Sequence, residues 1–201
     1  MNIVHLIQIS IGAILINNIV LSRFLGLCPF FGVSRKLSTS IGMGMAVTFV
    51  MTLASFITWP IQEFILIPTR TTYLQTIIFI LVIGAFVQCV ELVVIKYSPL
   101  LYEALGIYLP LITTNCALLA VVIINTQENG FTGQNYTFIE SIINGFSSGI
   151  GFTLALILMA GIREKLEMAD IPKSLRGVPV AFIMACLMAL AFMGFSGLSL
   201  K

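Results

Sequence analysis

Apolar residues fill the chain in six long runs, at about 4–33, 39–59, 73–96, 99–125, 137–162 and 178–197. The breaks between them read "SRKLSTS", "QEFILIPTRTT", "KYSPLLYE", "TQENGFTGQNYT" and "REKLEMADIPKSLRG". Each carries charges, prolines or Gly/Asn clusters, the residues that end helices. A run of ~20 continuous apolar residues matches a helix crossing the hydrocarbon core, whereas a membrane barrel shows alternating segments of ~10. The pattern predicts an all-α integral membrane protein with six transmembrane helices in one polytopic domain, residues 1–201. The longest polar segment, Arg163 to Arg176, leaves no room for a soluble domain. The first run reads as a span rather than a cleaved leader. It lacks a basic start and continues past the usual ~7–15-residue apolar core without an A-x-A-like site.

The two halves of the chain resemble one another. "CPFFGVS" after Cys28 matches "CALLAVV" after Cys116 in pattern, "GMGMAVTFVMTLAS" from Gly42 resembles "GIGFTLALILMAG" from Gly149, and "FVQCVEL" resembles "FIMACLM". The matches keep a common order. A unit of three spans reverses its direction when repeated. The expected architecture is therefore two inverted three-helix repeats, about 1–97 and 98–201, as in many transporters.

The first run is too long for a plain span. About 30 residues at ~1.5 Å each give ~45 Å, against a core of ~30 Å. Within it, "FLGLCPFF" offers the means of a break. Pro29 lacks an N–H and clashes with the preceding turn, and Gly26 tolerates unusual backbone angles. In the fourth run, Pro110 precedes "LITTNCA", where Thr113, Thr114 and Asn115 can recapture freed backbone groups. Broken half-helices are thus expected in the first and fourth runs. At membrane depth such breaks survive only where protein or water covers them, and transporters place their sites there. The inverted repeat would bring the two breaks together near the midplane, with Cys28 facing Cys116.

Composition agrees with the pattern. The chain is 59% hydrophobic and only 9% charged, against ~25% charged in soluble domains, and its mean hydropathy is +1.09. A net charge of +2 argues against nucleic acid as a partner. Arg35, Lys36, Lys96, Arg163, Lys165, Lys173 and Arg176 fall in loops on one side, Arg70 and Lys201 on the other. The excess marks the cytoplasmic side and puts both termini outside.

Four cysteines, Cys28, Cys89, Cys116 and Cys186, lie in apolar runs without CxxC spacing. Taken singly, each reads as a small buried hydrophobe. Two facing thiols can form a disulfide, bind a metal or do nothing. An iron–sulfur cluster usually needs four thiolates, so a second chain with the same arrangement would supply the other two, or else Cys89 and Cys186 would. The latter lie mid-helix without a breaker beside them and read as packing residues.

"NNIVLSRFLGLCPFFGVSRK", "GIYLPLITTNCALL" and "LAFMGFSGL" carry a resemblance that covers essentially the whole chain. They are similar to the A subunits of the Rnf complexes, ion-translocating ferredoxin:NAD oxidoreductases. The E subunit of the sodium-translocating NADH:quinone oxidoreductase is a close relative. The resemblance implies six helices in two inverted repeats with two half-helices. It also implies a [2Fe–2S] cluster shared with the homologous E subunit, each chain giving two cysteines, here Cys28 and Cys116. It further implies electron transfer across a bacterial or archaeal cytoplasmic (inner) membrane, coupled to Na+ or H+ translocation. The B, C, D, E and G subunits are then the partners, and this chain alone has no catalysis. Ala120 stands where a glycine is expected, which touches packing and not ligation.

Other residues carry weaker signals. Arg23, shortly before Cys28, either snorkels to the interface or tunes a nearby centre electrostatically. Glu91 either belongs to an ion path or pairs with Lys96. Asn17 and Asn18 read as interhelical hydrogen-bonding groups before an ion site, and Ser147, Ser148, Gly149 and Gly151 as a close-packing surface. His5 reads as solvated, Trp59 and Tyr73 as an outer aromatic belt. Two rival functions, a small-solute transporter and a structural scaffold with incidental thiols, remain at this level. Cysteines and small residues at the breaks favour a soft metal over a solute.

Overall fold

The computed structural model describes residues 3–34, 36–69, 74–97, 111–112, 114–126, 136–168, 172 and 177–197, all of whose regular structure is helical. Pro110, Thr113 and Tyr73 lie outside the described residues, as do Arg35, Arg70, Lys173, Arg176 and Lys201. The elements are α1 (Ile3–Ile11), which runs into a π-helical turn at Gly12–Ile16, α2 (Ile19–Arg23), α3 (Leu27–Val33), α4 (Leu37–Ile61), a second π-helical turn at Gln62–Leu66, α5 (Ile67–Thr69), α6 (Gln75–Tyr97), α7 (Cys116–Thr126), α8 (Phe138–Glu167) and α9 (Val178–Met193). Every predicted run contains an apolar helix. The stretch from Leu37 to Leu66 and helix α8 are long and apolar enough to cross a membrane, at 30 residues each.

These two helices form the centre, and small residues set how closely they approach. A Cβ built on Gly44 would lie 2.5 Å from Thr153, and one on Gly149 would lie 2.6 Å from the Thr48 backbone; one on Gly145 would strike Ser55. As the position rises along α4 its partner falls along α8, so the two cross antiparallel. At the crossing Thr48 and Thr153 share a hydroxyl contact of 3.2 Å, and each donates to the carbonyl of the glycine four residues earlier. The local register sets Gly44 against Thr153 and Gly149 against Thr48.

Around this crossing the usual polarity is reversed. Asn18, Asn125, Asn144, Ser55 and Ser141 are buried, while Ile77, Leu81, Leu92 and Leu190 are more than 60% exposed. Helices in lipid gain nothing by hiding leucine, but they must satisfy polar groups internally. Asn144 Nδ2 donates to Asn125 Oδ1 at 2.6 Å, and Asn125 donates to Ser55 Oγ and the Ser141 carbonyl, tying α4, α7 and α8 together. The start of α8 is capped by its own Glu140, which accepts the Thr137 N–H.

Candidate functional site

The first run breaks twice. The first break centres on Asn18, which caps α2. Its Oδ1 accepts from the backbone N–H groups of Val20 and Leu21, while Nδ2 donates to the carbonyls of Ile14 and, at 2.8 Å, Gly151 on α8. Asn18 is thus the interhelical hydrogen-bonding group its place in an apolar run predicts. The second break is Phe24–Gly26. Phe24 and Gly26 adopt positive φ of 54° and 77°, and α3 starts at Leu27 with Gly26 as its N-cap. Pro29 is therefore not the breaker. It occupies the first turn of α3, where an N–H has no intrahelical partner to lose.

In the fourth run the break precedes Cys116. Asn115 Oδ1 accepts the N–H of Ala117 at 3.0 Å, and the Asn115 carbonyl accepts that of Leu118. An asparagine whose side chain caps the N–H two residues on restarts the helix at Cys116. This is the backbone recapture expected of the "TTNC" stretch, carried by Asn115.

The breaks at Gly26 and Asn115 meet. The Gly26 N–H donates to Cys116 Sγ at 2.9 Å. A Cβ at position 26 would lie 2.9 Å from both the Ala117 Cβ and the Phe152 ring, and 3.0 Å from Asn115 Oδ1. Only glycine offers both the positive φ and the space. Cys28 and Cys116 occupy the first turns of the helices that follow the breaks, and both side chains are exposed. The far end of α3 is held by Arg163 on α8, which donates to the Phe31 carbonyl at 2.9 Å and lies over the Phe31 ring. Its neighbour Glu164 accepts the Leu37 N–H at the start of α4.

The family model described as "Rnf-Nqr subunit, membrane protein" matches residues 6–199. The chain belongs to the Rnf-Nqr family. It is 58% identical, over 97% of its length and 98% of the relative's, to the A subunit of the Na(+)-translocating ferredoxin:NAD(+) oxidoreductase complex of Acetobacterium woodii. It is 56% identical to the A subunit of the ion-translocating oxidoreductase complex of Syntrophotalea carbinolica, over 96% of this chain and 97% of that one. Against the A subunit of the proton-translocating ferredoxin:NAD(+) oxidoreductase complex of Clostridium ljungdahlii it is 51% identical, over 96% of each.

In this Rnf-Nqr chain the other cysteines stand apart. Cys89 on α6 and Cys186 on α9 are exposed, so neither packs inside the chain, contrary to expectation. Among the described residues no three His, Cys, Asp or Glu side chains gather, so the chain does not assemble a four-thiolate set of its own from them. The donor chemistry at the breaks nevertheless suits half of an iron–sulfur site. Two soft, outward-facing thiols stand at the breaks, and one already accepts a backbone N–H. The buried Asn115 Nδ2 beside it has no partner among the described residues, a spare donor for a cluster sulfur.

The remaining expected residues separate. Arg23 ends α2, is exposed, and lines a cavity with Asn17. Glu91 is half-buried on α6, and among the described residues no ion pair joins it to Lys96. His5 Nδ1 lies 3.2 Å from a Glu140 carboxylate oxygen, so His5 is engaged rather than simply solvated. Trp59 donates to the Tyr136 carbonyl and packs on Phe138. Burial, and then the nearby Glu140 carboxylate, raise the Tyr136 hydroxyl above its ordinary pKa of 10.0. Sequence reasoning misses the Asn125–Asn144 network and the Arg163 contact. The first has a readable signal, namely amides inside apolar runs. The second joins residues 132 apart and has none.

Proposed function

We propose that this chain is the electron-transfer membrane subunit of an ion-translocating ferredoxin:NAD oxidoreductase of the Rnf type. In this reading Cys28 and Cys116 give two ligands to a [2Fe–2S] cluster whose other two come from the homologous E subunit. The B, C, D and G subunits complete the assembly in a bacterial or archaeal cytoplasmic membrane. The observation that carries the reading is the contact between the breaks, with Gly26 N–H on Cys116 Sγ and both thiols turned outward. When bound, such a cluster accepts and passes on single electrons. The chain's own residues hold and tune it. The two thiolates bind, the Gly26 N–H and Asn115 Nδ2 offer hydrogen bonds of the kind that set cluster potential, and Ala117 and Phe152 pack behind Gly26 and keep water out. The soft thiols at both breaks favour a metal over a solute. The equivalent subunit of the sodium-translocating NADH:quinone oxidoreductase would use the same geometry.

Cys28→Ser and Cys116→Ser should each abolish or severely disturb the iron–sulfur signal of the assembled complex, because a serine oxygen is a hard donor. Cys89→Ser and Cys186→Ser should leave it intact. Electron paramagnetic resonance and iron content of the reduced complex read the outcome. A normal signal in all four variants would overturn the proposal.

A further inference from the structure

Helix α3, which delivers Cys28, is too short to stand by itself. Isolated helices below ~12–15 residues are marginal, and α3 has seven, Leu27–Val33. The last four carbonyls of a helix lack an intrahelical partner, and in α3 these are more than half. Burial fixes its inner face, where Phe30 and Val33 are no more than 1% exposed. Polar contacts fix its ends. At the front stands Gly26, with its positive φ and its N–H on Cys116 Sγ. At the back, the Thr39 and Ser40 hydroxyls reach the Val33 carbonyl only at 3.3 and 3.4 Å, and both lie closer to the Lys36 carbonyl. The stronger contact there is Arg163, which donates to the Phe31 carbonyl at 2.9 Å. The Phe31 ring is gripped as well. The Arg163 guanidinium carbon lies 5.9 Å from its centroid, and the Phe182 ring of α9 stacks on it at 4.3 Å and 28°. A cation in the last turn also answers the negative end of the helix. One residue of α3 thus receives a hydrogen bond, a cation and a stacked ring from two other helices. It stands three positions after Cys28, about 4.5 Å along the helix axis at ~1.5 Å per residue.

We propose that Arg163, backed by Phe182, is a positioning residue for the Cys28 thiolate: its clamp on Phe31 stops α3 from swinging about Gly26 and so sets where the sulfur stands. The inference rests on the reading of Cys28 as a cluster ligand, but its first test needs no cluster. The purified whole complex is stripped of iron by a chelator under reducing, anaerobic conditions. Cys28 and Cys116 are then alkylated with N-ethylmaleimide, and mass spectrometry reads both rates in the same sample. Arg163→Gln should speed Cys28 several-fold relative to Cys116. Arg163→Lys, which keeps the charge and a donor but not the planar fork, should fall between. Phe182→Leu keeps the guanidinium and removes only the stacked ring. It should move the ratio in the same direction, and it decides the matter if the Arg163 variants do not assemble. Glu164→Gln is the control, because Glu164 bonds the Leu37 N–H of α4 rather than α3, and it should leave the ratio native. The second test uses the iron-loaded complex. Arg163→Gln should keep its iron but shift the g-values and lower the midpoint potential, because a nearby cation favours the more negative reduced cluster. The expected change is at most about tenfold in the reduction equilibrium, ~59 mV for one electron. The clamp is overturned by a ratio that Arg163→Gln and Phe182→Leu leave unchanged, or by one that Glu164→Gln moves as far. Native g-values and potential in the loaded Arg163→Gln complex also overturn it, where Cys28→Ser destroys the signal. A moved ratio in a complex whose signal survives Cys28→Ser upholds the clamp on the thiol and overturns the cluster reading instead.

Discussion

Gly26 is the residue on which the thiol site turns. Its φ of 77° lies where a Cβ costs ~1–2 kcal/mol, and the surrounding atoms leave no space for one. Gly26→Ala should therefore destabilise the complex by about 1–3 kcal/mol, read as a lower melting temperature together with a shifted or lost iron–sulfur signal. Gly32 in the neighbouring helix has open space where its Cβ would stand. Gly32→Ala should change stability by no more than ~0.5 kcal/mol and leave the signal alone. Equal effects at the two positions would remove the special role of the break. The role of Gly26 is legible in the sequence as a glycine beside a cysteine in a run too long for one helix. The site of the break is less so. Pro29 is the obvious breaker on paper, but a proline acts as one only when a turn of helix precedes it. Nothing in the letters marks Phe24, a bulky residue with positive φ, as the start of the turn.

At the scale of elements, the chain is organised by α8 crossing α4. Gly149→Val would push a branched side chain into the Thr48 backbone, and it should abolish accumulation of the assembled complex, as seen by the yield of co-purifying subunits. Asn18→Ala removes both an N-cap, worth ~1 kcal/mol, and an interhelical bond to Gly151, worth ~0.6 kcal/mol and at most ~1.7 kcal/mol in membranes. The expected loss is about 1–3 kcal/mol in a denaturant titration of the complex, with the proposed iron–sulfur signal unchanged. The apolar helices are legible because each run is long, continuous and bounded by polar breaks. The faces of α6 and α9 are not. Both helices are apolar all round, so no periodicity tells an inward cysteine from an outward one, and Cys89 and Cys186 fall on the outside. Asn18 announces a helix contact by being an amide in an apolar run, whereas Asn17 beside it is exposed and makes no side-chain hydrogen bond among the described residues. Asn125 and Asn144 carry the same mark and prove to hold three helices together.

Across the whole molecule, Glu63 and Lys165 lie at opposite ends of the antiparallel pair formed by α4 and α8. Small topology reporters placed at the two positions should read opposite sides of the membrane, with Lys165 cytoplasmic by its charge neighbours. The same side at both would dismantle the crossing described above. One feature of the first run also governs how the chain is made. Asn18 bonds to Gly151, Gly26 to Cys116 and Phe31 to Arg163, across separations of 133, 90 and 132 residues. Every one of these partners lies in the second half of the chain. At synthesis rates of ~5–20 residues per second, the carbonyl of Phe31 waits roughly ten seconds for its guanidinium. In that interval the broken stretch carries bare N–H and C=O groups that hydrocarbon does not tolerate. The nascent first half must therefore linger in the insertion machinery, or lie at the lipid headgroups, until α8 arrives. A ribosome halted after Tyr97 should accordingly hold a first segment that is still reachable from water, and release to full length should seal it.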